Sequence, residues 1–221
     1  MKPYTTLLFD LDGTLLDSKR SVLEAVYHTA EIYAPQQYTF QDIEDRFGEA
    51  FEDFVDIVAP HKKEEMIATY MEHITNHHDQ LVDIFPKVQE ALIVLKQRGI
   101  KLGIVTNKQY HLTIKGLELF QIREHFDTIV TLDDVKYPKP SPEPIIKAIE
   151  QLNVNASEVL MVGDTMFDTV AAKEASVPIC ILDWYGTYDK RRIQPDYMFS
   201  SIEEKMNYFG YSLKRESGSI G

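Results

Sequence analysis

A single cysteine, Cys180, stands in the whole chain of 221 residues, so no intrachain disulfide is possible. It lies in the apolar run Pro178-Ile179-Cys180-Ile181-Leu182 and reads as a small buried hydrophobe in a reducing compartment. Positive charge is also scarce. The 23 Lys and Arg face 35 Asp and Glu, a net charge of −12, and no Lys/Arg stripe of the kind that binds phosphate backbones stands out. Nucleic acid is therefore not an expected partner. Long hydrophobic runs are missing too. Leu7-Leu8-Phe9 is too short for the apolar region of a signal peptide, and no stretch approaches membrane-spanning length. The expectation is a cytoplasmic protein without membrane contact. Neither a Gly-rich loop ending in Lys-Ser/Thr nor a Gly-x-Gly-x-x-Gly after the first strand occurs, which removes two common nucleotide folds. Repeats and low-complexity stretches are absent.

What is present is 44% apolar composition, enough for one good core and a smaller second module. Short apolar runs end abruptly in polar residues or glycine: Thr5 to Phe9, Ile100 to Val105, Thr128 to Val130, Val159 to Val162 and Pro178 to Leu182. Such near-continuous runs suit strands covered on both faces. Helical patterns lie between them. Pro86 precedes Val88, Ala91, Leu92 and Leu95, with Gly99 as a stop, and Pro142 opens a helix with Ile145, Ile146 and Ile149 on its apolar face. Strand alternating with helix predicts an α/β fold, a doubly wound (Rossmann-like) parallel sheet.

One segment breaks the alternation. Residues 17–83 read as helix only, with Val22, Val26, Ala30 and Tyr33 as one stripe and Ile67, Tyr70, Met71 and Ile74 as another. Thr39 and Asp42 mark a helix start between them. This block is too large for a single crossover and reads as an inserted all-helical domain. The expected division is an α/β core over 1–16 and 84–209, the insertion over 17–83, and a frayed tail over 210–221.

The chemistry concentrates at strand ends. Asp10 follows the first strand, Thr106 and Asn107 the second, and Asp164 the strand ending at Val162. Lys139 sits in the loop Pro138-Lys139-Pro140-Ser141-Pro142 just before a helix. In an open parallel sheet the C-terminal strand ends share one rim, where ligands bind. Two carboxylates about 4 Å apart repel by roughly 4 kcal/mol at an effective dielectric near 20. Asp10, Asp12, Asp164 and Asp168 gathered there need partners or raised pKa values. A hard divalent ion satisfies them, and Mg2+ fits because it tolerates retained waters and a substrate phosphate oxygen. Lys139 adds a point charge for phosphate and for Asp10.

The stretch Asp10-Leu11-Asp12-Gly13-Thr14-Leu15 resembles the first motif of the haloacid dehalogenase superfamily. Thr106-Asn107-Lys108 is similar to its second motif, Lys139-Pro140 to its third and Gly163-Asp164-Thr165-Met166-Phe167-Asp168 to its fourth, all in order. The helical insertion is similar to the C1-type cap of the branch that includes phosphoglycolate phosphatases and pyrophosphatases. The resemblance implies that Asp10 is the nucleophile, forming an aspartyl phosphate, and that Asp12 protonates the leaving oxygen and then activates water. It implies that Asp10, the backbone carbonyl of Asp12 and Asp164 hold magnesium, with Asp168 assisting through water. Thr106 and the Asn107 amide bind phosphoryl oxygens.

The implied function is a Mg2+-dependent phosphatase of a small phosphorylated metabolite, 2-phosphoglycolate first, with inorganic pyrophosphate as the alternative. A sugar phosphomutase is disfavoured by Gly163-Asp164, where a glutamate is expected in mutases. A non-enzymatic phospho-acceptor module ranks last, because such modules are shorter and lack a carboxyl two residues after the nucleophile.

Plainer readings stand beside these. Asp168 also reads as a first-turn helix carboxylate, and Glu143 reads only so. His73, His77 and His78 contain an i, i+4 pair that could bind a metal, but with no acidic or cysteine companion the solvated helix face is the preferred reading. Arg46-Phe47-Gly48-Glu49 is the one stretch of the insertion with a claim to read a leaving group.

Overall fold

A computed structural model describes residues 4–47, 51–211 and 213. In chain order the strands are β1 (Thr6–Phe9), β2 (Leu16–Asp17), β3 (Asp83–Ile84), β4 (Lys101–Val105), β5 (Thr128–Val130), β6 (Val159–Gly163), β7 (Ile179–Leu182) and β8 (Tyr197–Phe199). The α-helices are α1 (Lys19–Tyr33), α2 (Phe40–Glu44), α3 (Phe51–Val58), α4 (Lys63–Leu81), α5 (Val88–Gln97), α6 (Tyr110–Leu119), α7 (Glu143–Leu152), α8 (Met166–Glu174) and α9 (Ile202–Tyr208). The chain divides into two compact units, Met1–Leu16 with Ile84–Gly221, and Asp17–Asp83.

The first unit is built on a six-stranded sheet in the order β5-β4-β1-β6-β7-β8, every neighbouring pair parallel. Counted by succession within the sheet this is 3-2-1-4-5-6, the doubly wound order, and it reverses between β1 and β6. The apolar runs become strands because both faces are covered. All residues of β1, β6 and β7 are buried. Leu8, Met161 and Ile179 pack against Ile145 and Ala148 of α7 and Ala171 and Ala172 of α8. Each fully buried aliphatic side chain contributes about 1.5–3 kcal/mol relative to exposure.

Helix signals in the sequence translate directly. Pro142 precedes α7, and Asn153 closes it in the left-handed region at φ 50°. The strand β8 is not announced by the sequence. Its residues are only partly buried at the sheet edge, so no continuous apolar run marks it.

The second unit holds α1 to α4 around Leu23, Ala30, Ile43, Phe54, Val55 and Met66. Thr39 and Asp42 form the expected capping box. The stripe expected on α4 is displaced: Met66, His78 and Leu81 are its buried residues, not Ile67, Tyr70, Met71 and Ile74. Apolar residues cover a wide arc of this helix, and packing selects which of them face the centre. His78 is fully buried and His73 and His77 are half-buried, which corrects the solvated-face reading. Gly48 and Glu49, together with the tail 214–221, lie outside the described residues. Among the described residues no helix is long and apolar enough to cross a membrane.

One charge in the sheet unit is out of place. Lys205 on α9 is fully buried, and its Nζ has no hydrogen-bond partner among the described residues. It lies 5.2 Å from the ring centroid of Phe9 and 6.0 Å from that of Phe209. Burial lowers its pKa from 10.5 to about 8. The folded state therefore binds fewer protons than the unfolded chain between those values. Stability rises with pH through that window, and below it the charged amine costs the fold up to about 3 kcal/mol. Lys205→Met is expected to raise the melting temperature at neutral pH, with a gain that shrinks towards pH 10. Melts across that range check it, and a gain independent of pH would refute the buried-charge explanation.

Candidate active site

The register of the sheet assembles the site. Phe9 is level with Ile104 on one side and Val162 on the other, so the residues that follow emerge at one rim, at the point where the strand order reverses. The Asp10 amide donates to the Val162 carbonyl at 2.8 Å, and Thr106 N–H to the Val130 carbonyl at 3.0 Å. Asp10 and Thr106 are both buried there.

Lys139 is the hub. Its buried Nζ lies 2.7 Å from Asp10 Oδ1 and 2.6 Å from Asp168 Oδ1, and it donates to the Val105 carbonyl at 2.9 Å. The loop carrying it is clamped by the Asn107 side chain, which donates to the Lys139 carbonyl at 2.7 Å and accepts from the Lys139 amide at 2.9 Å. This side chain is thereby spent on the loop, leaving its backbone for any other partner. Thr106 Oγ1 accepts from Lys108 N–H at 3.2 Å.

Asp168 serves two purposes at once. Its Oδ2 accepts from Thr165 N–H at 3.0 Å and Thr165 Oγ1 at 2.6 Å, completing the capping box of α8, while Oδ1 faces Lys139. The helix-cap reading of this residue holds, and its other oxygen goes to Lys139, a partner the sequence did not give it. Glu143 accepts from the Lys136 and Tyr137 amides at 2.9 Å, in line with its structural reading.

Ligand atoms of Asp10, Asp164 and Asp168 all lie within 4.8 Å of one another. Burial raises the Asp10 pKa to about 6 and Asp168 adds to the rise, although Lys139 opposes it. Asp164 is pushed well above the usual carboxylate range, by removal from water first and then by Asp168 and Asp10. Burial works against the charge on Lys139, but Asp10 and Asp168 outweigh it and hold its pKa above the ordinary value. One lysine is thus too little cation for three carboxylates. Oxygen-only donors short of positive charge fit a hard divalent ion such as Mg2+. Asp168 is fully engaged, so Asp10 and Asp164 are the side chains with capacity for direct ligation.

Gly13 explains how Asp164 comes so near. A Cβ at this position would sit 2.1 Å from Asp164 Oδ2, and its φ of +78° lies in the left-handed region.

Two further contacts carry no signal of their own in the sequence. Thr14 Oγ1 donates to Asp164 Oδ1 at 3.0 Å, and Lys108 Nζ, nearly buried, donates to Asp12 Oδ1 at 2.9 Å. Both residues stand inside the quoted motif stretches, and only their partners were hidden. Trp184 Nε1 donates to the Thr14 carbonyl at 3.1 Å and its ring stacks on Phe85 with centroids 4.3 Å apart.

Residues 7–182 match the family described as haloacid dehalogenase-like hydrolase. This chain belongs to that family. Its relatives include the pyrophosphatase PpaX of Halalkalibacterium halodurans, 38% identical over 95% of this chain and 98% of the relative. The pyrophosphatase PpaX of Anoxybacillus flavithermus is 37% identical over the same shares. Among solved structures, a haloacid dehalogenase-like family hydrolase from Streptococcus pneumoniae superposes with a TM-score of 0.82, covering 95% of this chain and all of that one at 23% identity, which bears on the fold alone. As a haloacid dehalogenase-like hydrolase the chain has the doubly wound sheet, the helical insertion and the four motif stretches that the sequence resemblance implied.

Proposed function

We propose that this hydrolase cleaves inorganic pyrophosphate, with Asp10 as nucleophile and Mg2+ as its resident ion. The observation that carries the chemistry is the convergence of Asp10, Asp164 and Asp168 on Lys139 at the strand rim. Pyrophosphate is placed ahead of 2-phosphoglycolate because relatives alike over nearly their whole length bear the name pyrophosphatase. This reverses the order expected from the sequence.

Asp10 attacks the phosphorus in line; the bond to the leaving phosphate breaks as the acyl phosphate forms. Asp12, once its contact with Lys108 gives way to a proton, passes that proton to the leaving oxygen, then takes one from water, whose oxygen attacks the same phosphorus and frees Asp10. Thr106 Oγ1 and the Asn107 backbone amide bind the equatorial oxygens, and Lys139 offsets charge on Asp10 and phosphate. Asp10, the Asp12 carbonyl and Asp164 would hold the metal, with Asp168 fixing Lys139 beside them. When bound, magnesium neutralises the developing charge.

Phosphate release from pyrophosphate is expected to require Mg2+ and to exceed release from 2-phosphoglycolate and other small monoesters in kcat/KM. A preferred monoester overturns the substrate, and full turnover in chelator overturns the metal. Because burial raises the pKa of Asp10 to about 6 and raises that of Asp164 as well, and both must be ionised to ligate, apparent Mg2+ affinity should fall as pH falls, by up to about a hundredfold per pH unit where both are protonated. Calorimetric titration across pH 5 to 8 checks the slope.

A further inference from the structure

The helical unit carries metal-ligating side chains that this chemistry leaves unused. In sequence, His73 and His77 have no acidic residue three or four positions away along α4; folding provides one from α1. His28 of α1 comes to His73 with ring centroids 4.5 Å apart, and His73 stacks on His77 at 4.3 Å. Glu24, one turn before His28, lines a cavity of about 430 Å3 together with His28, His73, Tyr27, Glu31 and Phe40. The two helices thus each contribute an i, i+4 pair to one face: Glu24 with His28, and His73 with His77.

Stacking alone does not account for the polar atoms. His73 Nε2 is buried without a hydrogen-bond partner among the described residues, a state that costs the fold. His77 Nδ1 lies 3.0 Å from the His73 carbonyl. A carbonyl only accepts, so Nδ1 holds the proton and Nε2 keeps its lone pair, the arrangement that prepares an imidazole for a metal. Burial, His28 and His77 all lower the pKa of His73, keeping it neutral and able to ligate, against a smaller opposing pull from Glu24.

We propose that Glu24, His28, His73 and His77 form a second metal site, for a borderline divalent transition ion of the zinc type. Three imidazoles and one carboxylate suit four-coordinate zinc, whereas the oxygen-only rim of the sheet unit suits magnesium. Among the described residues, only the Asp10, Asp164 and Asp168 ligand atoms already lie within 4.8 Å of one another, so zinc has to unstack the rings. The exposed His28 and the cavity beside it give room for that rotation. Arg20 holds Glu24 Oε1 at 2.7 Å, but this pair is largely solvent-exposed on the arginine side and is weak competition for an ion. A bound ion would tie α1 to α4 and stabilise the folded chain by mass action.

The test is zinc titration of the untagged full chain in excess magnesium, followed by calorimetry and thermal melts. The expected result is one zinc per chain and a raised melting temperature. His28→Ala and His73→Ala should each weaken binding by at least about tenfold, while Asp164→Asn leaves it unchanged. His28→Gln, at an exposed position, serves if His73→Ala fails to fold. Absence of saturable zinc binding, binding unaffected by loss of His28, or binding lost with Asp164→Asn would each overturn the site. None of these readouts depends on which phosphoryl substrate the enzyme turns over.

Discussion

Asp10→Asn is expected on the proposed mechanism to abolish turnover, with kcat reduced by about 10^4-fold or more, because an amide in place of the attacking carboxylate forms no acyl phosphate. The fold should survive the change. Burial already raises the Asp10 pKa to about 6, so a neutral isostere relieves a desolvation cost, and Lys139 keeps Asp168 as a partner. A metal-free melt near pH 7 should therefore place the variant level with or above the wild type. Phosphate release from a variant that melts normally, at anything near the wild-type rate, would remove Asp10 as nucleophile. Loss of activity with loss of folding would instead be judged on Asp10→Ser, which is smaller and equally unable to hold the phosphoryl group as a carboxylate does.

Lys139→Ala is expected to damage stability and chemistry together. It strips the cation from Asp10 and from Asp168, the latter fully buried and tied to the first turn of α8. Removing one partner of a buried ion pair costs about 3–5 kcal/mol, since the charge left behind is neither solvated nor paired. The sign with pH follows from the carboxylates. At neutral pH they repel without a counter-charge, whereas acidification protonates Asp10, whose pKa burial raises to about 6, so the deficit should shrink as pH falls towards 5. Added Mg2+ should restore part of the melting temperature through Asp10 and Asp164. Turnover should drop by about 10^2- to 10^3-fold, as for loss of one preorganised donor to a developing negative charge. Wild-type melting in chelator would refute the hub role of Lys139, and an unchanged rate would remove it from the chemistry.

The site was legible in the sequence to the extent that its parts sit at strand ends. A parallel sheet delivers all C-terminal ends to one rim, so Asp10, Thr106 and Asp164 could be grouped before any coordinates existed. Lys139 was legible from its place in a motif, but not its bond to Asp168 or the clamp by Asn107, which join residues 29 and 32 apart in the chain. Lys108 could not be paired with Asp12 from sequence, since the two stand 96 positions apart and long lysines usually face water. Lys205 gives the same lesson in the opposite sense: a lysine in a short terminal helix reads as surface, yet its surroundings close over it.

Sequence alone determined the alternation of strand and helix, the helical insertion between the first two core strands, and the identity of the acids and the lysine at the rim. These follow from periodicity and from residue types, which act over a few neighbours. Only the tertiary structure decided that Asp168 divides its oxygens between a helix cap and Lys139, and that Met66 rather than the expected stripe faces the helical core. It alone brought His28 against His73. Such choices depend on distances between residues far apart in the chain, and packing sets those distances after the local pattern has been spent.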